Sequence, residues 1–359
     1  MRPQGFRCLV RNHKTLGFSM VETAKLLKRW QNQQRASVNA FALPFSFCPP
    51  EPTSRKAYAM TSERFILRAG PLALEVLPAI GGSIARFDYL GPEGRQPLLR
   101  GTDEDYPDVL QSACFPLAPY ANRIRGGRFR CDGQEVRLPC NLPGDASPLH
   151  GQGWRAAWTV RSVQADQIEL DYLHEASEWP WRYAARQRIR LAPDGLSIEL
   201  TCRNLSAAPM PCGLGLHPYY PCTLDTVLDA GVAGVWTVDA DVLPLAHVPA
   251  AGRYSLQQRL ICGQGLDNGF DGWSGAATIT WPGRAMALRL ASGNAAYFQV
   301  YSPAAGGFFA AEPVQHANTV LNAPQHQWRG LGMELLAQGQ SRQLLAQFAP
   351  VACAPLLTA

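Results

Sequence analysis

The sequence predicts an all-β protein, a large antiparallel β-sandwich. Three observations support this fold class. Short apolar runs recur along the chain, separated by Gly and Pro, of which there are 32 and 29 in 359 residues. Several runs alternate polar and apolar residues, the pattern of strands with one solvated face. After residue 60 convincing helical periodicity is nearly absent, and charged residues reach only 17%, below the ~25% of typical globular domains.

The predicted strands begin soon after residue 61. The segment "RFILRAGPLALEVLPAIGGSIARFDYLG" contains three strand-like runs, and "WTVRSV", "IELDYLH", "AYFQVYSP" and "FFAAEPV" add further strands. Three segments are predicted to form β-hairpins because a turn dipeptide joins two such runs: "FRCDGQEVRL", "YAARQRIRLAPDGLSIELTCRN" and "ATITWPGRAMALRLASG". Their turns are Asp132-Gly133, Asp194-Gly195 and Pro282-Gly283.

Charge divides the chain into two parts. Residues 1–59 contain ten Lys and Arg but two acids, whereas the remainder contains 23 basic and 26 acidic residues. We predict that residues 1–59 are a disordered N-terminal extension or sequence upstream of the true start, in which "SMVETAKLLKRW" could form a short amphipathic helix. Residues 60–359 are predicted to form one β-sandwich domain. This acidic body lacks the basic footprint of a nucleic-acid-binding protein.

The cysteine and histidine spacings do not predict a metal site. The ten cysteines are scattered without a CxxC pair, and neither HxH nor HExxH occurs. A disulfide between Cys212 and Cys222 stays an alternative to free thiols in a reducing cytosol. No run approaches the ~20 apolar residues that span a bilayer. We therefore expect a cytoplasmic protein without a membrane partner.

Two of the seven histidines stand where a strand gives way to a turn. His150 lies in "SPLHGQGW" and His217 in "GLGLHPYY", and each follows Leu and precedes Gly or Pro. A lone histidine of this kind is more often a hydrogen-bonded loop residue than a proton-transfer group. His217 therefore needs partners elsewhere in the chain before a role in proton transfer is favoured.

Three polar stretches supply such partners. Glu312 ends the apolar run of "FFAAEPV", where a carboxylate is costly to bury alone, so it either pairs with an arginine such as Arg123 or serves as a base in a dry pocket. Asn122 and Arg123 in "PYANRIRGGRF" form a polar pair in an apolar loop, which indicates binding or a turn cap. Asp267 in "GLDNGFDGW" lacks an EF-hand pattern, so calcium is not expected.

In order along the chain, these stretches resemble the aldose 1-epimerase (mutarotase) family. "NRIRGGRF" resembles its Asn-Arg-Ile motif, "LHG" its first histidine motif, "GLHPYY" its second, "LDNGF" its Asp-x-x-Phe segment and "AAEPVQHANTVLN" its C-terminal glutamate motif. The resemblance covers about residues 62–350. Each motif is short, but five in the same order are specific, and "GLHPYY" is the most specific of them.

The resemblance implies a β-sandwich of the galactose mutarotase type and an isomerase that needs no cofactor. It implies that His217 is the general acid that protonates the ring oxygen of a pyranose. Glu312 is then the general base at the C1 hydroxyl. The substrate is a free aldose of the galactose or glucose type. The residues implied to hold this monosaccharide are Asn122, Arg123, His150 and Asp267.

Two alternatives stay open. Arg125, Arg128 and Arg130 could grip the phosphate of a sugar phosphate, although their spacing equally fits the outer face of a strand. A non-catalytic carbohydrate-binding sandwich would keep the aromatic, Asn and Arg contacts without needing both His217 and Glu312. A glycosidase is disfavoured because paired carboxylates that could face one pocket are not evident.

Overall fold

The computed structural model describes residues 63–102, 108–284 and 286–352. Within these ranges the chain forms 24 strands, eight 3-10 helices and no α-helix. The predicted all-β fold class is confirmed. The predicted extension over residues 1–59, with its short amphipathic helix, lies outside the described residues, so the boundary near residue 60 stays a prediction.

The strands are numbered in chain order and have these bounds: β1 (Phe65–Ala69), β2 (Leu72–Leu77), β3 (Ser83–Gly91), β4 (Gly94–Leu99), β5 (Cys114–Leu117), β6 (Arg128–Cys131), β7 (Gln134–Arg137), β8 (Thr159–Val163), β9 (Gln167–His174), β10 (Tyr183–Ala192), β11 (Gly195–Asn204), β12 (Met210–Cys212), β13 (Gly215–Pro221), β14 (Val227–Ala230), β15 (Gly234–Val238), β16 (Pro244–Pro249), β17 (Arg259–Leu260), β18 (Leu266–Asp271), β19 (Ala276–Trp281), β20 (Met286–Ala291), β21 (Tyr297–Ser302), β22 (Phe308–Val314), β23 (Glu334–Leu336) and β24 (Ser341–Ala352). The 3-10 helices cover Val109–Gln111, Arg125–Gly127, Gly153–Arg155, Gly252–Tyr254, Pro282–Arg284, Val320–Asn322, Gln325–Gln327 and Arg329–Leu331.

Two large sheets make up most of the fold. The first has eleven strands in the order β1-β2-β3-β5-β13-β22-β21-β18-β15-β16, with β4 beside β3. The second has nine strands in the order β17-β14-β19-β20-β24-β11-β10-β9-β8. The paired strands within both sheets are antiparallel. Two short pairs, β6-β7 and β12-β23, lie outside them.

The three predicted hairpins are confirmed. β6 and β7 pair around Asp132 and Gly133, whose φ angles of 48° and 81° are the two positive values that a type I′ turn requires. β10 pairs with β11 over the whole length of both strands. β19 pairs with β20 around the 3-10 turn Pro282–Arg284. Local turn chemistry therefore sets the register of these pairs.

The main core lies between the two large sheets. Strand β11 alternates partly exposed and buried residues along its whole length, as a strand with one core face does. Its Leu200 is fully buried and joins one apolar cluster with Leu74 and Phe87 of the eleven-stranded sheet. The sandwich is thus held together by apolar side chains that both sheets direct inward.

Strand β22 is buried on both faces. It lies between β13 and β21 inside the eleven-stranded sheet, and its pattern shows one partly exposed residue followed by six buried ones. Phe309 and Ala311 join the main core, whereas Ala310 joins a second, smaller cluster. Because side chains alternate along a strand, Glu312 shares the face of Ala310. The candidate site therefore lies against the second cluster.

Leu200→Ala is expected to lower the free energy of unfolding by about 2–5 kcal/mol, because it leaves a cavity at a fully buried position of β11. Urea unfolding followed by tryptophan fluorescence measures the change. Val163→Ala, at a 48% exposed position on the edge strand β8, is the matched control and should cost much less. Equal losses in the two variants would contradict a core between the sheets.

Candidate active site

His217 and Glu312 meet across two inner strands of the eleven-stranded sheet. The antiparallel register of β13 with β22 pairs Tyr219 with Ala310 and Gly215 with Val314. Midway between these two pairs, position 217 of β13 lies opposite position 312 of β22. His217 Nε2 lies 3.3 Å from Glu312 Oε1, and the two side chains are 9% and 3% exposed. The sheet, rather than a loop, therefore holds this pair together.

Aromatic rings fix the orientation of the His217 imidazole. Phe115 is its register partner on β5 and stacks on it with ring centroids 4.6 Å apart. Tyr219, on the same face of β13, lies at the same centroid distance. Trp154 stacks on Phe115 in turn, at 5.6 Å. This packing restricts the imidazole to an orientation that keeps Nε2 beside the carboxyl group.

Burial moves the two pKa values of the pair in opposite directions. It lowers the pKa of His217 to about 3 and raises the pKa of Glu312 well above its ordinary value. At a pH between these values the pair holds one transferable proton, on the Glu312 carboxyl group beside an unprotonated Nε2. Transfer of that proton to Nε2 creates a carboxylate and an imidazolium without exchange with solvent.

Two loops are bonded to each other beside this pair. The Asn122 N–H donates to His150 Nδ1, and the His150 N–H donates to the Asn122 carbonyl, each at 3.0 Å. Both residues have positive φ, 59° and 60°, which is uncommon outside glycine and is stabilised here by the contacts between the loops. Because Nδ1 accepts, the imidazole proton lies on Nε2. Burial lowers the pKa of His150 well below its ordinary value, so the ring is a neutral donor.

Arg123 pairs with an aspartate and not with Glu312. Its Nη2 lies 2.8 Å from Asp145 Oδ2, and its Nη1 lies 3.9 Å from Asp267 Oδ2. The ion pair between Arg123 and Glu312 that the sequence left open does not form; the Glu312 carboxyl group lies beside His217 instead. Sequence reasoning also missed Asp145, which lies in a Gly- and Pro-rich loop without a recognisable motif.

Asp267 lies on β18 with its carboxylate bonded to Gln299. Gln299 Nε2 donates to Asp267 Oδ1 at 2.7 Å, and Gln299 is the register partner of Glu312 on β21. Burial raises the pKa of Asp267 to about 6, and the charge of Arg123 opposes that rise. Sequence reasoning missed Gln299, although a single amide in the apolar strand "YFQVYS" is a detectable signal.

His316 supports the Asn122 loop from behind. Its Nε2 accepts the Ala121 N–H at 3.0 Å, and its Nδ1 lies 2.8 Å from the Ala317 carbonyl oxygen. The ring therefore carries its proton on Nδ1. Burial lowers the pKa of His316 to about 4 and keeps the ring neutral. The sequence alone does not distinguish this histidine from an ordinary loop residue.

The aromatic residues divide between the core and the site. Trp154 and Tyr220 are fully buried packing residues. Tyr297, Tyr301 and Phe308 are only partly buried and border the second cluster, so their rings are available to contact a ligand beside the His217–Glu312 pair. The structure thus brings all six sequence-predicted site residues to one face of the eleven-stranded sheet or to the loops beside it.

Within residues 63–102, 108–284 and 286–352, no group of three or more His, Cys, Asp or Glu side chains could hold a metal ion. Cys212 and Cys222 are free thiols, so the alternative disulfide does not form. No helix in these ranges has the length and hydropathy needed to cross a membrane.

The family of the chain follows from comparison with known proteins. Residues 70–348 match the family model for aldose 1-epimerase. The chain belongs to the aldose 1-epimerase family. It is 34% identical over 250 residues to "Uncharacterized protein YphB" of Escherichia coli K12, a match that covers 65% of this chain and 82% of that protein. The resemblance found in the five motifs is confirmed.

Solved structures agree with the fold of this aldose 1-epimerase family member. A candidate aldose 1-epimerase from Escherichia coli K12 superposes with a TM-score of 0.72 at 28% identity, over 81% of this chain and 99% of that one. A galactose mutarotase-like protein from Clostridium acetobutylicum gives a TM-score of 0.71 at 15% identity, over 80% and 94%. The galactose mutarotase-like sandwich predicted from the sequence is confirmed.

Glu312→Gln is expected to stabilise the folded protein, and the gain in stability should grow as the pH rises. The folded-state pKa of Glu312 is raised above its ordinary value of 4.5. The contribution of this carboxyl group to the free energy of unfolding is therefore complete below pH 4.5 and is lost as the pH rises through the folded-state pKa. A neutral amide removes this loss. The gain in Tm over wild type should therefore be larger at pH 8 than at pH 4.

Thermal unfolding followed by circular dichroism measures this difference. Glu93→Gln, at an exposed glutamate before β4, is the control and should show no gain that grows with pH. The same Tm gain at both pH values for Glu312→Gln would contradict a buried, neutral carboxyl group.

Proposed function

We propose that this protein interconverts the α and β anomers of a free aldose, with His217 as general acid and Glu312 as general base. The observation that carries the proposal is their 3.3 Å contact, together with pKa values shifted in opposite directions. Membership of the aldose 1-epimerase family supports the same class of reaction.

Anomer exchange needs two proton transfers. The ring opens when the bond between C1 and the ring oxygen breaks: the C1 hydroxyl loses its proton as the carbonyl forms, and the ring oxygen gains one. Glu312 would accept the first proton and His217 Nε2 would donate the second. Rotation about C1–C2 and reclosure with reversed roles gives the other anomer. Each positioned group contributes typically about 10²–10⁴-fold, and the chemistry needs no redox or group-transfer cofactor.

The single shared proton of the pair suits this exchange. A sugar that places its C1 hydroxyl at Glu312 and its ring oxygen at His217 would separate the two side chains, as carboxylate and imidazolium. Ring opening then protonates the Glu312 carboxylate and deprotonates the His217 imidazolium. The result is a carboxyl group and a neutral imidazole, the state that burial favours. Burial therefore assists the ring-opening step.

The neighbouring polar groups complete a sugar site. His150 offers an Nε2–H donor, and Asp267 offers a carboxylate acceptor held by Gln299. Arg123 has two nitrogens, Nε and Nη2, bound to Asp145, and its Nη1 faces Asp267, so Nη1 can also meet a hydroxyl. Donors and acceptors fixed in advance are what orients a polyhydroxylated ring.

The sugar-phosphate alternative has less support at its predicted arginines. Arg125, Arg128 and Arg130 are exposed on the β6 hairpin and the turn before it. Arg130 Nη2 donates to the Gly133 carbonyl at 2.7 Å, and Arg125 lies 3.9 Å from Asp239. This arrangement favours the outer face of a hairpin over a phosphate grip.

His217→Ala and Glu312→Gln are each expected to lower kcat for anomer exchange by about 10²–10⁴-fold, because each removes one positioned proton-transfer group. Exchange spectroscopy by NMR on galactose and glucose measures the rate. His326→Ala, at an exposed histidine outside the site, is the control and should retain the wild-type rate. Unchanged exchange in both site variants would instead identify a non-catalytic carbohydrate-binding sandwich.

KM and kcat are expected to respond differently to pH between about 5 and 7. The Asp267 carboxylate is present above its pKa of about 6 and is lost below it, so KM should rise as the pH falls. In the complex the buried His217–Glu312 pair passes its one proton between the two side chains and the sugar without exchange with solvent, so kcat should stay constant.

Asp267→Asn tests the source of this pH dependence. The variant should have a higher KM than wild type at pH 7 and no further rise at pH 5. A fall in kcat centred near the ordinary histidine pKa of 6.5 would contradict the neutral His217 on which the mechanism depends.

A further inference from the structure

Arg100 lies at one end of the proposed sugar site. Its backbone N–H donates to the Tyr219 carbonyl at 2.8 Å, which places it alongside β13 just after β4. Its guanidinium carbon lies 3.9 Å from the Tyr219 ring centroid and 4.5 Å from that of Phe308. The Tyr219 ring in turn lies 4.6 Å from the His217 ring. One aromatic ring therefore separates this cation from the proposed general acid.

Among the described residues, the guanidinium has fewer hydrogen-bond partners than donors. Its Nη2 donates to the carbonyl oxygens of Leu110 and Ser112. Its Nε is buried and has no hydrogen-bond partner among the described residues. A guanidinium carries five N–H donors, so this one retains unused capacity. Burial lowers the pKa of Arg100, the direction expected for a cation that no carboxylate compensates.

Two other partly buried arginines of the chain are neutralised. Arg86 lies 3.2 Å from Asp88, and Arg186 lies 2.6 Å from Asp171, with the arginine side chains 11% and 16% exposed. Arg100 forms no such pair within the part of the chain that the structure describes. A partly buried, unpaired charge is costly. An oxyanion supplied from outside the chain would offset that cost.

We propose that Arg100 forms a subsite for an oxyanion carried on the exocyclic C6 of the sugar, so that the preferred substrates are anionic aldoses. This inference rests on the proposed function, because it takes the ring oxygen to lie at His217. C6 is bonded to C5, which is bonded to the ring oxygen, so a C6 group necessarily lies near that imidazole. Same-face residues of a strand are about 7 Å apart, which places Arg100, over Tyr219, within reach of a carboxylate, sulfonate or phosphate on C6.

The shape of the subsite supports an oxyanion over a neutral hydroxymethyl group. Arg100 presents a planar cation against the faces of Tyr219 and Phe308, which restrict its movement. Nη1 makes no bond to the Leu110 or Ser112 carbonyls and can donate to an anion oxygen, and a charge-assisted hydrogen bond to an anion is stronger than one to a neutral hydroxyl. The aromatic surroundings also limit competition from water.

The test compares neutral and anionic sugars in matched pairs: galactose with galacturonate, and glucose with glucose 6-phosphate. Anomer exchange is measured by NMR for the full chain. Wild type should show a kcat/KM at least tenfold higher for the anionic member of a pair, as expected of a charge-assisted hydrogen bond. Galacturonate and glucose 6-phosphate separate a carboxylate preference from a phosphate preference.

Three variants assign the preference to Arg100. Arg100→Met keeps the contact with the rings but removes the charge, and it should lower kcat/KM for the anionic sugar at least tenfold more than for the neutral one. Arg100→Lys should recover part of the preference. Arg95→Met, at an arginine 47% exposed beside Asp88, is the control and should retain the wild-type preference.

The outcomes separate this inference from the proposed function. If wild type exchanges both sugars with equal kcat/KM, the subsite is overturned and the proposed function stands. That result is expected if a carboxylate of the chain neutralises Arg100. Exchange of neither sugar overturns the proposed function. Calorimetric titration with galacturonate then decides the subsite: an affinity at least tenfold weaker in Arg100→Met supports it, and equal affinity overturns it.

Discussion

A buried acid and a buried base in contact are the constraint on which the rest of this structure depends. His217 and Glu312 share one proton only while their side chains stay close and shielded from water. Removing ionisable groups from water is costly, so the surroundings must be rigid enough to keep the pair together. Paired inner strands supply the fixed separation. The Phe115 and Tyr219 rings supply the apolar cover that shifts the two pKa values apart.

The sandwich meets this constraint by using both faces of its larger sheet. One face of β22 packs into the main core, and the other carries the site on a smaller aromatic cluster. Histidines help to fix the loops beside the sheet: His150 bonds to Asn122, and His316 bonds to Ala121. Each ring is neutral, so the loops are held by hydrogen bonds that add no charge beside the His217–Glu312 pair.

Charge is distributed unevenly around the pair. On one side, Arg123 is balanced by Asp145 and Asp267, which leaves a network suited to neutral hydroxyl groups. On the other side, Arg100 rests on aromatic rings, with backbone carbonyls as its described hydrogen-bond partners. A substrate with a polar ring and an anionic arm would complement both sides, whereas a neutral hexose would complement the first.

The sequence by itself determined the strand pattern, the hairpin turns and the short motifs, because these depend on neighbours along the chain. The φ values of Asp132 and Gly133 show how directly a turn dipeptide specifies its register. Only the tertiary structure decided which side chains meet. It paired Glu312 with His217 rather than Arg123, and it brought in Gln299, His316 and Arg100, because such contacts come from strand order and burial, which local sequence does not encode.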